Sequence, residues 1–144
     1  IWEQTTHIPF IVRGPGIETG STCTQPVSLI DVYPSLVDLA GFSIPDWLDG
    51  TSIMPQLGEP SSPRPAAISS YGEGNTSIRT QRWRYIRYED GSEELYDHQV
   101  DPDEWTNLAS TPAHEATKKR LAKMIPADQH AGLKVQSWFD KFQK

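Results

Sequence analysis

The residues able to do chemistry are spread through the chain without forming a self-contained catalytic motif. His7, His98, His114 and His130 show no His-Glu-x-x-His pattern and no metal-ligand spacing, which speaks against a catalytic zinc site. Cys23 is the single cysteine, so neither an internal disulfide nor a cysteine-based zinc ribbon can form. Asp97, Asp101, Asp103 and Glu104 are carboxylates of the kind that bind hard cations, but their order lacks the glycine and terminal glutamate of an EF-hand loop. They read as a solvated turn shaped by Asp101-Pro102 and Asp103. Arg79, Arg82, Arg84 and Arg87 interleave with Trp83, Tyr85, Ile86 and Tyr88, a mixture that superficially suits nucleic acid. Alternation along a strand puts Trp83, Tyr85 and Arg87 on one face and Arg82, Arg84, Ile86 and Tyr88 on the other. With Glu93 and Glu94 across a hairpin, cross-strand ion pairs are the simpler expectation. Tyr71-Gly72-Glu73-Gly74-Asn75 is a Gly-rich loop that can place a backbone group or the Asn75 amide against a ligand. Asn75-Thr76-Ser77 is also a glycosylation sequon, meaningful only in a eukaryotic secretory pathway.

The elements that must hold these residues are legible from periodicity. Ile8-Pro9-Phe10-Ile11-Val12, closed by Gly14-Pro15-Gly16, predicts a strand buried on both faces, of the kind found in parallel sheets. Leu29, Val32, Tyr33, Leu36, Val37 and Ala40 predict an amphipathic helix over 28–40, capped at Ser28 or Asp31 and stopped by Gly41. Residues 42–66, with five prolines, read as a long surface connection. Short β-rich runs follow at Ala67–Tyr71, Ser77–Thr80, Trp83–Tyr88 and Glu94–Tyr96, the last two joined by an Asp90-Gly91 hairpin turn. Thr111 and Pro112 open a helix to about Ile125, with Thr117, Leu121, Met124 and Ile125 inward and its lysines outward. The domain reading is thus 1–41 as the end of a larger α/β domain, 42–66 as a Pro-rich connection, 67–126 as an α+β subdomain, and 127–144 as a tail in which Val135, Trp138 and Phe139 could dock.

Composition bounds the function classes. The 144 residues carry a net charge of −6, with 36% apolar residues and 22% charged ones. This excludes a disordered tail and a membrane span, and argues against non-specific nucleic-acid binding. A buried parallel strand without partners in its own sequence, opening directly at Ile1, points to a portion of a longer chain.

Several stretches together resemble the C-terminal part of a sulfatase of the alkaline-phosphatase-like superfamily, nearest to iduronate-2-sulfatase-like and arylsulfatase enzymes. Trp2–Val12 with Gly14-Pro15-Gly16 resembles the segment after that family's active-site lysine. Val27–Leu36 with Leu39-Ala40-Gly41 is similar to its next helix, and Asp49-Gly50-Thr51-Ser52 to the following loop. Ser77–Thr80, Trp83–Ile86 and Glu94–Asp97, leading to Asp101-Pro102-Asp103-Glu104 and Asn107-Leu108, resemble its C-terminal subdomain.

The resemblance implies an α/β fold in which one central-sheet strand and a helix are followed by a small antiparallel sheet with a packed helix. It implies sulfate-ester hydrolysis on a sulfated sugar or aryl sulfate, by a formylglycine nucleophile and a divalent cation, usually calcium. Neither group is expected to be bound by this segment: Ser61-Ser62-Pro63-Arg64 and Cys23-Thr24-Gln25-Pro26 both miss the Cys/Ser-x-Pro-x-Arg spacing. No catalytic or metal residue is therefore assigned, and His7, Tyr71 and Asn75 are the expected substrate-wall residues. The expected partners are the preceding part of the enzyme, or a second copy, covering an apolar face, and a sulfated small molecule or glycan. A periplasmic, extracellular or lysosomal location is what the resemblance implies. The alternatives are a phosphodiesterase or phosphonate hydrolase of the same superfamily, and a non-catalytic module binding glycans through Arg79, Arg82, Arg84 and Arg87.

Overall fold

In the computed structural model, which describes residues 1–127, four strands form an antiparallel meander in the order β1-β2-β3-β4. They are β1 (Ala67–Ser70), β2 (Thr76–Arg79), β3 (Trp83–Arg87) and β4 (Glu93–Asp97), each close to its predicted run. The β3–β4 turn closes through the Gly91 N–H donating to the Tyr88 carbonyl at 3.0 Å, with Gly91 at φ +82°. A side chain there would be strained, which is why glycine follows Asp90.

Pairing puts Ile68, Ile78, Tyr85 and Leu95 in one cross-strand row. Ile78, Tyr85 and Leu95 are fully buried and form the core with Trp83, Ala109 and Leu121. Leu121 comes from α4 (Glu115–Ala122), which continues a 3-10 turn at Pro112–His114 and packs on β3. Two expectations for this helix need correction. Met124 is 37% exposed, because the regular helix stops at Ala122 and leaves it past the packing face. Lys118 does not point to solvent but reaches Glu93 at 2.9 Å, since the Glu93 carboxylate stands on the sheet face that α4 covers.

A 3-10 turn at Leu29–Asp31 leads into α2 (Val32–Leu39), inside the predicted 28–40 span. The Ser28 N–H donates to the Asp31 carboxylate at 2.7 Å, satisfying a backbone donor at the helix start. At the other end Gly41 (φ +76°) donates to Asp38 and Phe42 to Val37, the paired bonds of a Schellman stop. The sidedness is inverted relative to an ordinary surface helix. Pro34 and Ser35 are buried, whereas Leu29, Tyr33, Leu36 and Leu39 are 53–67% exposed.

Residues 42–66 are more than the expected surface connection. They contain α3 (Met54–Gly58), and Ser52, Ile53 and Gln56 are buried. The Arg64 side chain, 3% exposed, ion-pairs with Asp31 at 2.6 Å, while Asp31 also accepts the Thr51 N–H at 2.8 Å. Burying this pair draws the Pro-rich segment onto the start of α2. Gly50 lies so close to the Ile30 carbonyl that an added Cβ would be 2.1 Å from its oxygen.

For Ile8–Val12 the expectation is a strand without partners in its own sequence. The run pairs with none of the four strands, and Ile8 and Ile11 are 49% and 89% exposed. Its apolar pattern predicts burial between neighbours, and among the described residues no strand lies beside it. The tail expectation for Val135, Trp138 and Phe139 lies outside the described residues.

Candidate functional site

The sheet's second face carries a charged network beside the buried Ile86 and Tyr96. Arg79 and Arg84 stand directly opposite each other on β2 and β3. Like charges in that position repel, and the carboxylate of Glu3, on the short helix α1 (Glu3–Thr6), relieves this by bonding both. Arg79 Nε lies 3.0 Å from Glu3 Oε2, and Arg84 Nη2 bonds the same oxygen. Arg84 further donates to the Ile1 carbonyl at 2.9 Å, Ser77 Oγ at 2.8 Å and Thr6 Oγ1 at 3.1 Å. Its Nε bonds Glu104, whose other oxygen accepts the Glu3 N–H at 2.8 Å.

His98 completes the cluster. Arg79 Nη2 lies 2.8 Å from its Nδ1, and its Nε2 lies 2.8 Å from Glu104 Oε1. Guanidinium has only donors, so Nδ1 accepts and the ring proton sits on Nε2, donated to Glu104. Burial opposes ionisation of Glu3, but the hydrogen bonds and charges of Arg79 and Arg84 prevail and hold its carboxyl down at about 2. Burial likewise works against the Glu104 carboxylate, and His98, the Glu3 N–H and Arg84 together overcome it and lower its pKa. Glu104 adopts φ +60° to reach this position, a conformation that costs a non-glycine residue energy.

Glu3, His98 and Glu104 bring one ligand atom each within 4.8 Å of one another. They do not fit calcium: Arg79 and Arg84 already occupy the carboxylates, and a divalent ion would meet two fixed positive charges. The solvated-turn expectation for the acidic cluster fails for Glu104 and Asp97. The Glu104 side chain is 4% exposed inside this network, and Asp97 is buried and bonded twice by Arg82, at 2.9 and 2.6 Å. Asp101 does act as a turn former, accepting the Trp105 and Thr106 N–H groups.

Arg79, Arg82 and Arg84 form ion pairs, but with Glu3, Asp97 and Glu104 rather than with Glu93 and Glu94, whereas Arg87 stands directly across from Glu93 and its charge helps to lower the Glu93 pKa. Arg84 is 2% and Arg79 17% exposed at the side chain, and Arg82 lies over the Trp83 ring while gripping Asp97. A glycan-binding patch built on all four arginines is therefore ruled out by geometry.

The three expected wall residues do not converge. His7 is exposed, its Nδ1 3.8 Å from Glu3 Oε1, at a cleft of about 700 Å³ bordered by Arg79, Arg82, His98 and Asp103. Tyr71 and Asn75 sit in the β1–β2 loop, at the opposite end of the sheet. Asn75 accepts the Tyr71 N–H with its carbonyl and the Glu89 N–H with Oδ1, and donates Nδ2 to the Glu73 carbonyl. Its amide orders the loop. Tyr71 is 77% exposed.

A family model described as N-sulphoglucosamine sulphohydrolase, C-terminal, matches residues 1–131. The chain belongs to this sulfatase C-terminal family. A sulfatase of Formosa agariphila is 31% identical over 127 residues, covering 88% of this chain and 25% of that protein. Arylsulfatase K of Homo sapiens is 34% identical over 125 residues, covering 76% of this chain and 23% of the relative. Among solved structures, a 2-O GAG sulfatase superposes with a TM-score of 0.65 at 29% identity, over 77% of this chain and 27% of the other. Phosphonate monoester hydrolase from Silicibacter pomeroyi does so at 0.61 and 28% identity, over 77% and 26%. The chain thus spans about a quarter of the length of the curated relatives it matches.

Membership in the sulfatase C-terminal family fits the small antiparallel sheet with its packed helix. The residues missed from sequence are Glu3, His98 and Glu104. A signal for them existed: Arg79 and Arg84 are held in short, aromatic-flanked strands and need carboxylates from elsewhere in the chain, because Glu93 and Glu94 do not reach them.

Proposed function

We propose that this chain is the C-terminal part of a sulfatase that hydrolyses sulfate esters, with the formylglycine nucleophile and the calcium ion supplied by the preceding part. The observation that carries this reading is the family match over residues 1–131, combined with a span of about a quarter of the relatives' length. The 144 residues contain no Cys/Ser-x-Pro-x-Arg, and among the described residues the one carboxylate–histidine cluster is filled by guanidiniums. The chemistry must then come from outside this segment. The outward apolar side of α2 fits the role of a face packed against that preceding part. The likeness to a 2-O GAG sulfatase makes a sulfated glycosaminoglycan sugar the favoured substrate class, with His7 the wall residue whose position best suits it.

The likeness to a phosphonate monoester hydrolase supports a second reading, the same scaffold acting on a phosphonate ester. Both are tested by assaying the full-length enzyme, and the 144-residue chain by itself, on 4-nitrophenyl sulfate and on a phosphonate monoester. The expected result is sulfate-ester turnover by the full-length enzyme, abolished by chelation, and none by the chain alone. Turnover by the isolated chain would overturn the proposal. A clear kcat/KM preference for the phosphonate would replace it with the second reading.

A further inference from the structure

Helix α1 is made of the polar residues Glu3–Thr6 and buries none of them fully. Its place is set by directional, mostly charge-assisted hydrogen bonds from the sheet. Arg84 grips it at three points: the Ile1 carbonyl, the Glu3 carboxylate and the Thr6 hydroxyl. Glu104 takes the Glu3 N–H, Arg79 takes the Glu3 carboxylate, and Glu94 accepts the Trp2 indole N–H at 2.7 Å. Such bonds specify direction as well as distance, which apolar packing does not. Two costly features accompany them: arginines facing each other across strands, and a non-glycine residue at φ +60°. Neither is needed to build the sheet, whose core lies on the other face.

We infer that Arg84 and Glu104 form a clamp that positions the N-terminal segment Ile1–His7 for the reaction, with Glu104 as the positioning residue. Glu3 is the tooth held between the jaws. The segment so fixed presents His7 at the cleft and sets the direction in which the chain enters Ile1. His98 locks the clamp: its Nδ1 accepts from Arg79, and its Nε2–H holds Glu104. The inference rests on the sulfatase reading for its kinetic consequence but not for its structural one.

The test uses the full-length enzyme with Glu104→Gln, which keeps the side chain's size and removes its charge. Glu3→Gln serves as a milder second variant at a partly exposed site, and Glu115→Gln, a half-exposed acid on α4 remote from the clamp, as a control. Two readouts are taken: hydrogen exchange of peptides covering residues 1–8 and 83–97, and steady-state kinetics on 4-nitrophenyl sulfate. Glu104→Gln and Glu3→Gln should speed exchange in residues 1–8 at least tenfold and leave 83–97 unchanged. They should lower kcat at least tenfold with KM within threefold, and the double variant should be no worse than the poorer single one, because both act through Arg84. Faster exchange with unchanged kinetics overturns the positioning role. Faster exchange across 83–97 as well overturns it in favour of a merely structural role. If the wild-type enzyme hydrolyses no sulfate ester, the sulfatase reading falls, and the exchange measurement decides by itself whether the clamp holds the segment.

Discussion

Gly50 offers a sharp test of how the first half of the chain is held together. Replacing it with alanine puts a Cβ 2.1 Å from the Ile30 carbonyl oxygen, 2.7 Å from the carbonyl carbon and 3.1 Å from the Asp31 nitrogen. All three are backbone atoms, so no side chain can swing aside, and the loop must retreat by roughly 1 Å or more to reach ordinary contact. The neighbouring Thr51 N–H bonds Asp31 at 2.8 Å, and the same retreat carries it out of range. Losing a hydrogen bond to a charged acceptor costs about 1.5–3 kcal/mol, and the forced backbone shift about 1–3 kcal/mol. Gly50→Ala should therefore destabilise by about 2.5–6 kcal/mol, lowering a urea midpoint by roughly 1–3 M at a slope of about 2 kcal/mol per M. Gly58→Ala is the matched control, since nothing lies within 4 Å of its added Cβ and its φ is not left-handed. It should be neutral or stabilise by about 0.4–1 kcal/mol. The measurement is urea unfolding followed by tryptophan fluorescence. A Gly50→Ala midpoint equal to wild type, or Gly58→Ala as the more harmful change, would refute the close-approach reasoning.

Arg64→Leu should cost about 3–5 kcal/mol in the same assay, because it leaves the buried Asp31 carboxylate unpaired; Asp31→Asn in the same background should recover part of the loss. Leu121→Ala removes a fully buried side chain from the core and should cost about 2–5 kcal/mol, whereas Met124→Ala at the helix end should cost far less. The depressed Glu3 carboxyl makes stability pH-dependent: the unfolded chain binds more protons between pH 4.5 and about 2, so the contribution is complete above the unfolded value and is lost as pH falls through that window. Solvent screening of this partly exposed pair limits the effect to on the order of 1–2 kcal/mol. Glu3→Gln should flatten the slope of melting temperature against pH in that range, and an unchanged slope would count against the ion-pair account.

What could be read from the residues is what is encoded locally. The β3–β4 hairpin was legible because its strand runs meet at the Asp90-Gly91 turn. The helix over 28–40 was legible because its apolar spacing and Gly41 stop lie within one short segment. The same spacing could not say which way the stripe points, since sidedness depends on the partner that covers it. Ile8–Val12 makes the same point: an apolar run announces burial without supplying the neighbours. In the candidate site, alternation placed Arg84 on the face away from Trp83 and Tyr85, but its carboxylates were unreadable. Glu3 lies 81 residues away in the chain and Glu104 lies 20 residues away in a loop, distances over which no local pattern operates. His7, Tyr71 and Asn75 were grouped by resemblance to one pocket wall, and the sheet separates them because its turns alternate between two ends.

The two halves of the chain differ in where they place their apolar side chains. In the sheet half, apolar side chains face inward around Tyr85 and Leu121, as in any self-sufficient core. In the half around α2 the arrangement is reversed: Asp31, Ser35, Ser52 and Gln56 are buried, while Leu29, Tyr33, Leu36, Phe42 and Trp47 stand 54–73% exposed. Polar groups there are satisfied inward by one another, as when Ser35 Oγ accepts the Ile53 N–H at 2.9 Å and Ser52 donates to Asp38 at 2.6 Å. Full burial of a large apolar side chain is worth about 1.5–3 kcal/mol. The exposed set therefore forgoes on the order of 5–10 kcal/mol, comparable with the whole stability of a domain. Internal polar bonds give this half its shape and leave most of its hydrophobic stabilisation to be gained at an interface. The clamp on α1 works in the same manner, holding polar residues by directional bonds. Shape in the half around α2 is thus set by directional polar contacts within the chain, and its apolar side chains stand outward.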